Sequence, residues 1–253
     1  MTPLDISHPP PTRWLAVHEG EGPDLRITAT RPMPVGTRVT VGREGDVAIG
    51  VRTPNRGVSR IAVEVTASPT GWRIAVPNRN GAVMHPWGGP LQVASPVDGI
   101  DWPLLGIRLR HTNTSQHWIL LSADDLAITP AGPVAGDESS GTDLAGRPSD
   151  LSKGTSQAIR VVFHELLSWP PRHPATPLQL KQAATRLGIA PPSVRDRLAV
   201  AWDKAAELGV NGIERDLTDP GYLYALVRAG YVRPPRVAPG LAGLRYISSG
   251  SHD

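Results

Sequence analysis

The stretch VSRIAVEVTASPTGWRIAV, residues 58–76, carries the fold assignment. Two short runs, Ile61–Ala67 and Trp72–Val76, alternate or cluster apolar residues at the two-residue period of a strand. Ser68-Pro69-Thr70-Gly71 between them has the composition of a hairpin turn. Working outward, Leu25–Thr30, Arg38–Val41, Ile107–Arg110 and Trp118–Leu121 repeat the pattern, mostly separated by Gly, Pro and Asn. Asn80-Gly81 is a second turn signal, because both central residues of a type I′ turn need positive φ. Many short strands with regular turns predict an all-β sandwich over residues 12–122.

Beyond residue 154 the period changes to that of a helix. Ser156–Leu167 sets Ile159, Val162, Phe163, Leu166 and Leu167 on one face. A second helix opens at Thr176 or Pro177 and runs to Leu187, with Gly188 as its stop. A third runs from Pro191 or Pro192 to Leu208, and a fourth over Tyr222–Ala229. Residues 155–253 thus form a small all-α domain with a C-terminal tail. Between the two domains, residues 123–154 are rich in Gly, Ser, Pro and Asp and lack aromatics, so they read as a flexible linker. Residues 1–11, with Pro9-Pro10-Pro11, read as a disordered tail.

Charge follows the same division. The whole chain of 253 residues has 26 Lys and Arg against 23 Asp and Glu. Residues 1–121 carry net +3, residues 122–154 net −4, and residues 155–253 net +4. Absence of Cys excludes disulfides, thiolate metal sites and cysteine nucleophiles. No apolar run reaches the length of a membrane span, and MTPLDISHPPPTR has no secretory pattern, so a cytoplasmic protein without membrane contact is expected. Enzyme chemistry finds no support. Asp124-Asp125 is an adjacent carboxylate pair whose side chains point apart in an extended segment. The eight His show no H-x-x-x-H or H-E-x-x-H spacing, so neither a metal nor another cofactor is expected. There is no G-x-S-x-G elbow, P-loop or kinase signature.

Three loops beside strands concentrate oxyanion-binding groups: Gly42-Arg43 after Arg38–Val41, Ser59-Arg60 before Ile61–Ala67, and Asn78-Arg79-Asn80-Gly81 after Trp72–Val76. Gly lets backbone approach a ligand, Arg matches phosphate with a planar fork, and a Ser hydroxyl adds a directed hydrogen bond. Arg52 and Arg56, in VRTPNRG, either widen the positive field, read acidic residues near the ligand, or are solvated loop charges. In order and spacing these motifs resemble the forkhead-associated (FHA) family, whose pattern is Gly-Arg, Ser-x-x-His and Asn-Gly-Thr. Here Arg43 precedes Ser59 by 16 residues and Ser59 precedes Asn80 by 21. Ala62 stands in place of the family's His, and Ala82 in place of its Thr. The resemblance covers about residues 12–122 and implies recognition of a phosphothreonine peptide. It implies that Arg43 and Ser59 hold the phosphate, that Arg60 and Arg79 contact phosphate or nearby peptide, and that Asn80 holds the peptide backbone.

Thr176–Val210 resembles the helix-turn-helix of response regulators and sigma factors, and similar segments follow FHA domains in some actinobacterial proteins. That resemblance implies Ser193, Arg195 and Arg197 facing double-stranded DNA, with Lys181 and Arg186 on phosphates. Asp196 between the arginines opposes it. The sequence reading is a non-enzymatic, two-module signalling protein. Its β domain docks on threonine-phosphorylated partners, namely a Ser/Thr kinase or its substrates. Its helical domain contacts DNA or protein. The other class is an adaptor that binds protein without phosphate.

Overall fold

A computed structural model describes residues 13–21, 26–52, 54–94, 97–110, 115–126, 150–209 and 216–235. The expected tail 1–11, most of the linker 123–154 and the tail after residue 235 lie outside the described residues. The chain divides into two compact units. Among the described residues, one comprises 13–84 and 92–126, and the other 85–91 with 150–235.

The β unit is a sandwich of two sheets. Its strands are β1 (Arg13–Glu21), β2 (Arg26–Pro32), β3 (Arg38–Gly42), β4 (Val47–Ala48), β5 (Val63–Ser68), β6 (Gly71–Ala75), β7 (Ala82–Pro86), β8 (Gln92–Val93), β9 (Val97–Ile100), β10 (Leu104–Leu109) and β11 (Ser115–Ala123). One sheet has the order β2-β1-β11-β10-β7-β8 and the other β4-β3-β5-β6-β9. Alternation decides which side chains meet between the sheets. Val39 and Val41, Val63 and Val65, and Trp72 and Ile74 face inward from one sheet; Leu15, Val17, Leu105, Ile107, Ile119 and Leu121 face inward from the other. The hairpin at Ser68–Gly71 forms as the sequence predicts, with Ser68 paired to Gly71. The later turn differs. Gly81 N–H donates to Asn78 O at 2.8 Å, so Arg79 and Asn80 are the central pair, and Gly81 follows with φ 72°.

Arg13 is fully buried at one edge of this core. Its Nε and Nη2 bond the Asp125 carboxylate at 3.0 and 2.7 Å, and its Nη1 bonds Ser68 O and Gly71 O, each at 2.6 Å. The guanidinium also lies 5.4 Å from the Trp72 ring centroid. The adjacent carboxylates Asp124-Asp125 therefore supply a structural anchor through Asp125, and the folded chain runs past residue 122.

The helical unit contains α1 (Lys153–Val162), α2 (Leu180–Leu187), α3 (Pro191–Glu207) and α4 (Pro220–Arg228). Ser152 caps α1 by accepting from Thr155 N–H, so this helix starts earlier than the hydrophobic pattern alone indicates. It also stops at Phe163, and residues 163–167 are turns rather than the helical continuation expected to Leu167. Gly188 ends α2 in the left-handed region, φ 64°, as its position in the sequence predicts. Asp219 caps α4 with Pro220 in the first turn. Ile159, Val162, Phe163, Val194, Leu198, Tyr222 and Leu226 are buried, and Phe163 meets Tyr222 edge-to-face at 5.4 Å. No helix among the described residues is long and apolar enough to cross a membrane.

Candidate functional site

Loops β3–β4, β4–β5 and β6–β7 are joined by hydrogen bonds into one surface. Gly42 ends β3 against the next loop so closely that a Cβ there would lie 2.0 Å from Arg60 O. Only Gly permits this approach. It allows Arg43 N–H to donate to Ser59 O at 3.2 Å and Glu44 N–H to Arg60 O at 2.9 Å. Two loops distant in sequence thereby become a backbone ladder.

Asn78 joins the third loop to this pair. It is 5% exposed, and its Oδ1 accepts from Ser59 N–H at 3.1 Å. Its Nδ2 donates to Gly81 O at 2.9 Å, and its own N–H donates to Ala62 O at 3.1 Å. Asn55, also buried, shapes the β4–β5 loop by accepting from Gly57 N–H at 2.8 Å. Asn55 is absent from the expected site residues, and Asn78 is named there only within its loop motif, with no role of its own. Two Asn in VPNRNG were the available signal, but only burial distinguishes the organiser from the presented group. Ala62 lies in the core with its carbonyl holding Asn78, so its backbone supports the loop where the resemblance leads one to expect a His side chain.

The expected phosphate-reading residues come together on this frame. Arg43 is exposed, and its Nε donates to Val58 O at 2.7 Å. This bond fixes the plane of the guanidinium and leaves its terminal amino groups unspent among the described residues. Ser59 Oγ accepts from Arg79 N–H at 3.1 Å, which leaves the hydroxyl hydrogen to be donated. Asn80 Nδ2 donates to Gly57 O at 3.1 Å, so its carbonyl oxygen and second N–H remain for a ligand backbone. The Arg79 guanidinium is exposed. Arg60 approaches Glu44 at 3.8 Å with both side chains well exposed, a pair too solvated to neutralise it strongly. Chemically, the surface offers a fixed cationic fork, a hydroxyl donor and an amide beside one another. That set suits an oxyanion attached to an extended chain.

The residues expected to face DNA are divided. Lys181 on α2 and Arg195 on α3 are exposed, whereas Ser193 is half-buried. Arg197 is also half-buried, and its guanidinium carbon lies 3.2 Å from where a Gly154 Cβ would be. Arg197 is therefore packed on the first turn of α1. Arg186 Nη1 lies 3.4 Å from His164 Nε2, and burial followed by the Arg186 charge holds that imidazole below the ordinary His range. Among the described residues no group of three or more His, Asp or Glu is placed to hold a metal ion.

No protein-family model matches the chain, and no curated protein matches it. By structure, it is similar to the FHA domain of the CT664 protein from Chlamydia trachomatis. Identity is 15% and the TM-score 0.32, with 44% of this chain and 96% of that chain covered.

Proposed function

We propose that the β unit is an FHA-type binding module, without enzymatic activity, that docks on threonine-phosphorylated proteins. The observation that supports this reading is that Arg43, Asn80 and the Arg79 backbone are hydrogen-bonded to the consecutive residues Val58, Gly57 and Ser59, with donors of Arg43, Ser59 and Asn80 left over among the described residues. Arg43 and Ser59 would hold the phosphate, Arg60 and Arg79 would add charge beside it, and Asn80 would hold the peptide backbone. The partners would be a Ser/Thr kinase or its substrates in the cytoplasm. The full chain is expected to bind a phosphothreonine peptide pool at least about tenfold more tightly than the same pool unphosphorylated, as even one charge-assisted hydrogen bond contributes enough for this. Fluorescence anisotropy measures it, and equal binding of the two pools refutes the phosphate reading in favour of a phosphate-independent adaptor.

For the helical unit the proposal extends to duplex DNA through a helix-turn-helix of α2 and α3. The short turn at Gly188, followed by exposed Arg195 early in α3, favours it. Lys181 and Arg195 would make the contacts; the packing of Arg197 on α1 argues for omitting it. Retardation of duplex DNA that weakens steeply with salt, and weakens further in the Lys181→Ala/Arg195→Ala variant, is the expected result. A folded chain that retards no DNA at low salt leaves protein docking as the role of this unit.

A further inference from the structure

The loops around the candidate site contain more positive charge than one phosphate requires. Arg43, Arg52, Arg56, Arg60, Arg79 and Arg110 are all exposed. The acidic residues among these loops are Glu44, beside Arg60, and Asp46, whose carboxylate is taken up by Thr40 N–H at 2.9 Å and Thr40 Oγ1 at 2.8 Å. Arg56 and Arg110 have no carboxylate partner among the described residues.

Both arginines belong to backbone tied to the Asn80 turn. The Asn80 amide donates to Gly57 O, and Arg56 precedes Gly57 in the chain. Arg110 N–H donates to Gly81 O at 3.2 Å, and Arg110 Cδ lies 4.0 Å from where a Gly81 Cβ would be. Arg108, two residues earlier on β10, is half-buried, and burial together with the Arg110 charge disfavours its ionised form. The end of β10 thus carries two like charges, and an arriving anion would relieve their repulsion.

We propose that the site accepts an acidic phosphopeptide, with anionic side chains flanking the phosphothreonine held by Arg56 and Arg110 near the Asn80 turn. This rests on the phosphate reading above and adds the class of peptide. A flanking anion is a carboxylate or a second phosphate, since both offer oxyanions to a guanidinium.

The test uses the full chain and peptides of one length: phosphothreonine with Ala flanks, phosphothreonine with Glu at the three residues on either side, phosphothreonine with one flanking phosphoserine, and unphosphorylated Thr with Glu flanks. The Glu-flanked phosphopeptide is expected to bind about tenfold more tightly than the Ala-flanked one, about threefold from each solvated pair. The Arg56→Ala/Arg110→Ala variant should erase that preference while changing the Ala-flanked affinity less than about twofold. A preference only for the phosphoserine-flanked peptide assigns the subsites to a second phosphate. Equal wild-type affinities for the Ala-flanked and both anionic peptides overturn the proposal, as does a preference that survives the double substitution. If Glu-flanked Thr binds as tightly as its phosphorylated form and remains sensitive to the double substitution, the phosphate reading fails while acidic recognition stands.

Discussion

Arg43→Ala is expected to weaken phosphothreonine-peptide binding by about 100-fold, or ~3 kcal/mol, while the chain stays folded. Arg43 is exposed, so its removal opens no cavity, and Gly42, which fits the loops together, is untouched. The loss comes from two sources. A guanidinium–phosphate pair makes parallel charge-assisted hydrogen bonds, and the Nε bond to Val58 O has already restricted the side chain before the ligand arrives. Arg43→Lys separates the two. It keeps the charge but loses the planar fork and that tether, so an intermediate loss of about tenfold is expected. Titration calorimetry, with the unphosphorylated peptide as baseline, measures all three. Binding by Arg43→Ala within about twofold of the unsubstituted chain removes Arg43 from the proposed site.

Arg13→Ala is expected to destabilise the β unit by about 4 kcal/mol, read as a lower urea midpoint in Trp fluorescence. The substitution leaves the Ser68 and Asp125 acceptors without their cation and opens a void beside Trp72. Arg13→Met fills much of that void without restoring the hydrogen bonds, so a loss that persists in it belongs to the polar network. The same network sets an acid limit. The hydrogen bond from Arg13 is the main cause holding the Asp125 carboxyl below its ordinary value. A carboxyl depressed on folding contributes stability that is full above its unfolded pKa, about 3.9, and is lost as pH falls through the folded value. Stability should therefore drop below about pH 4, and Asp125→Asn should flatten that part of the profile. An unchanged acid limb in Asp125→Asn would assign the drop to other groups.

Legibility in the sequence followed the range of the interaction. The β5–β6 hairpin was readable because the alternation and the Pro69-Thr70 turn are local. So was the end of α2 at Gly188, where a positive φ favours one residue type. β1 was not picked out from the pattern, and the reason is visible in Leu15–Glu19: every one of these residues is buried. A strand covered on both faces loses the polar alternation that marks a half-exposed one. The early stop of α1 was hidden because Phe163 and Leu166 are buried at helical spacing even though the helix has ended.

The candidate site divides in the same way. Glycines and directed polar groups beside strands are chemical requirements that one residue can advertise, so Gly42-Arg43, Ser59 and Asn80 were legible at their spacing. Which group is presented and which is consumed was not. Two asparagines, Asn78 and Asn80, stand two positions apart, yet one is buried under the loops and the other half-exposed beside Gly57. The four helical cation candidates, Lys181, Arg186, Arg195 and Arg197, likewise look equivalent in sequence, until Arg197 is found packed on Gly154.

By itself, then, the sequence determined an all-β region followed by an all-α one, and the identity of the candidate groups in three loops. Periodicity and local turn chemistry are properties of a few neighbouring residues. Tertiary structure alone decided that Arg43, Ser59 and Arg79 share one surface, that Asn78 holds them there, and that Gly57 and Arg110 are tied to the Asn80–Gly81 turn. These juxtapositions depend on backbone hydrogen bonds between residues far apart in the chain, and no local pattern encodes which distant carbonyl a given N–H will find.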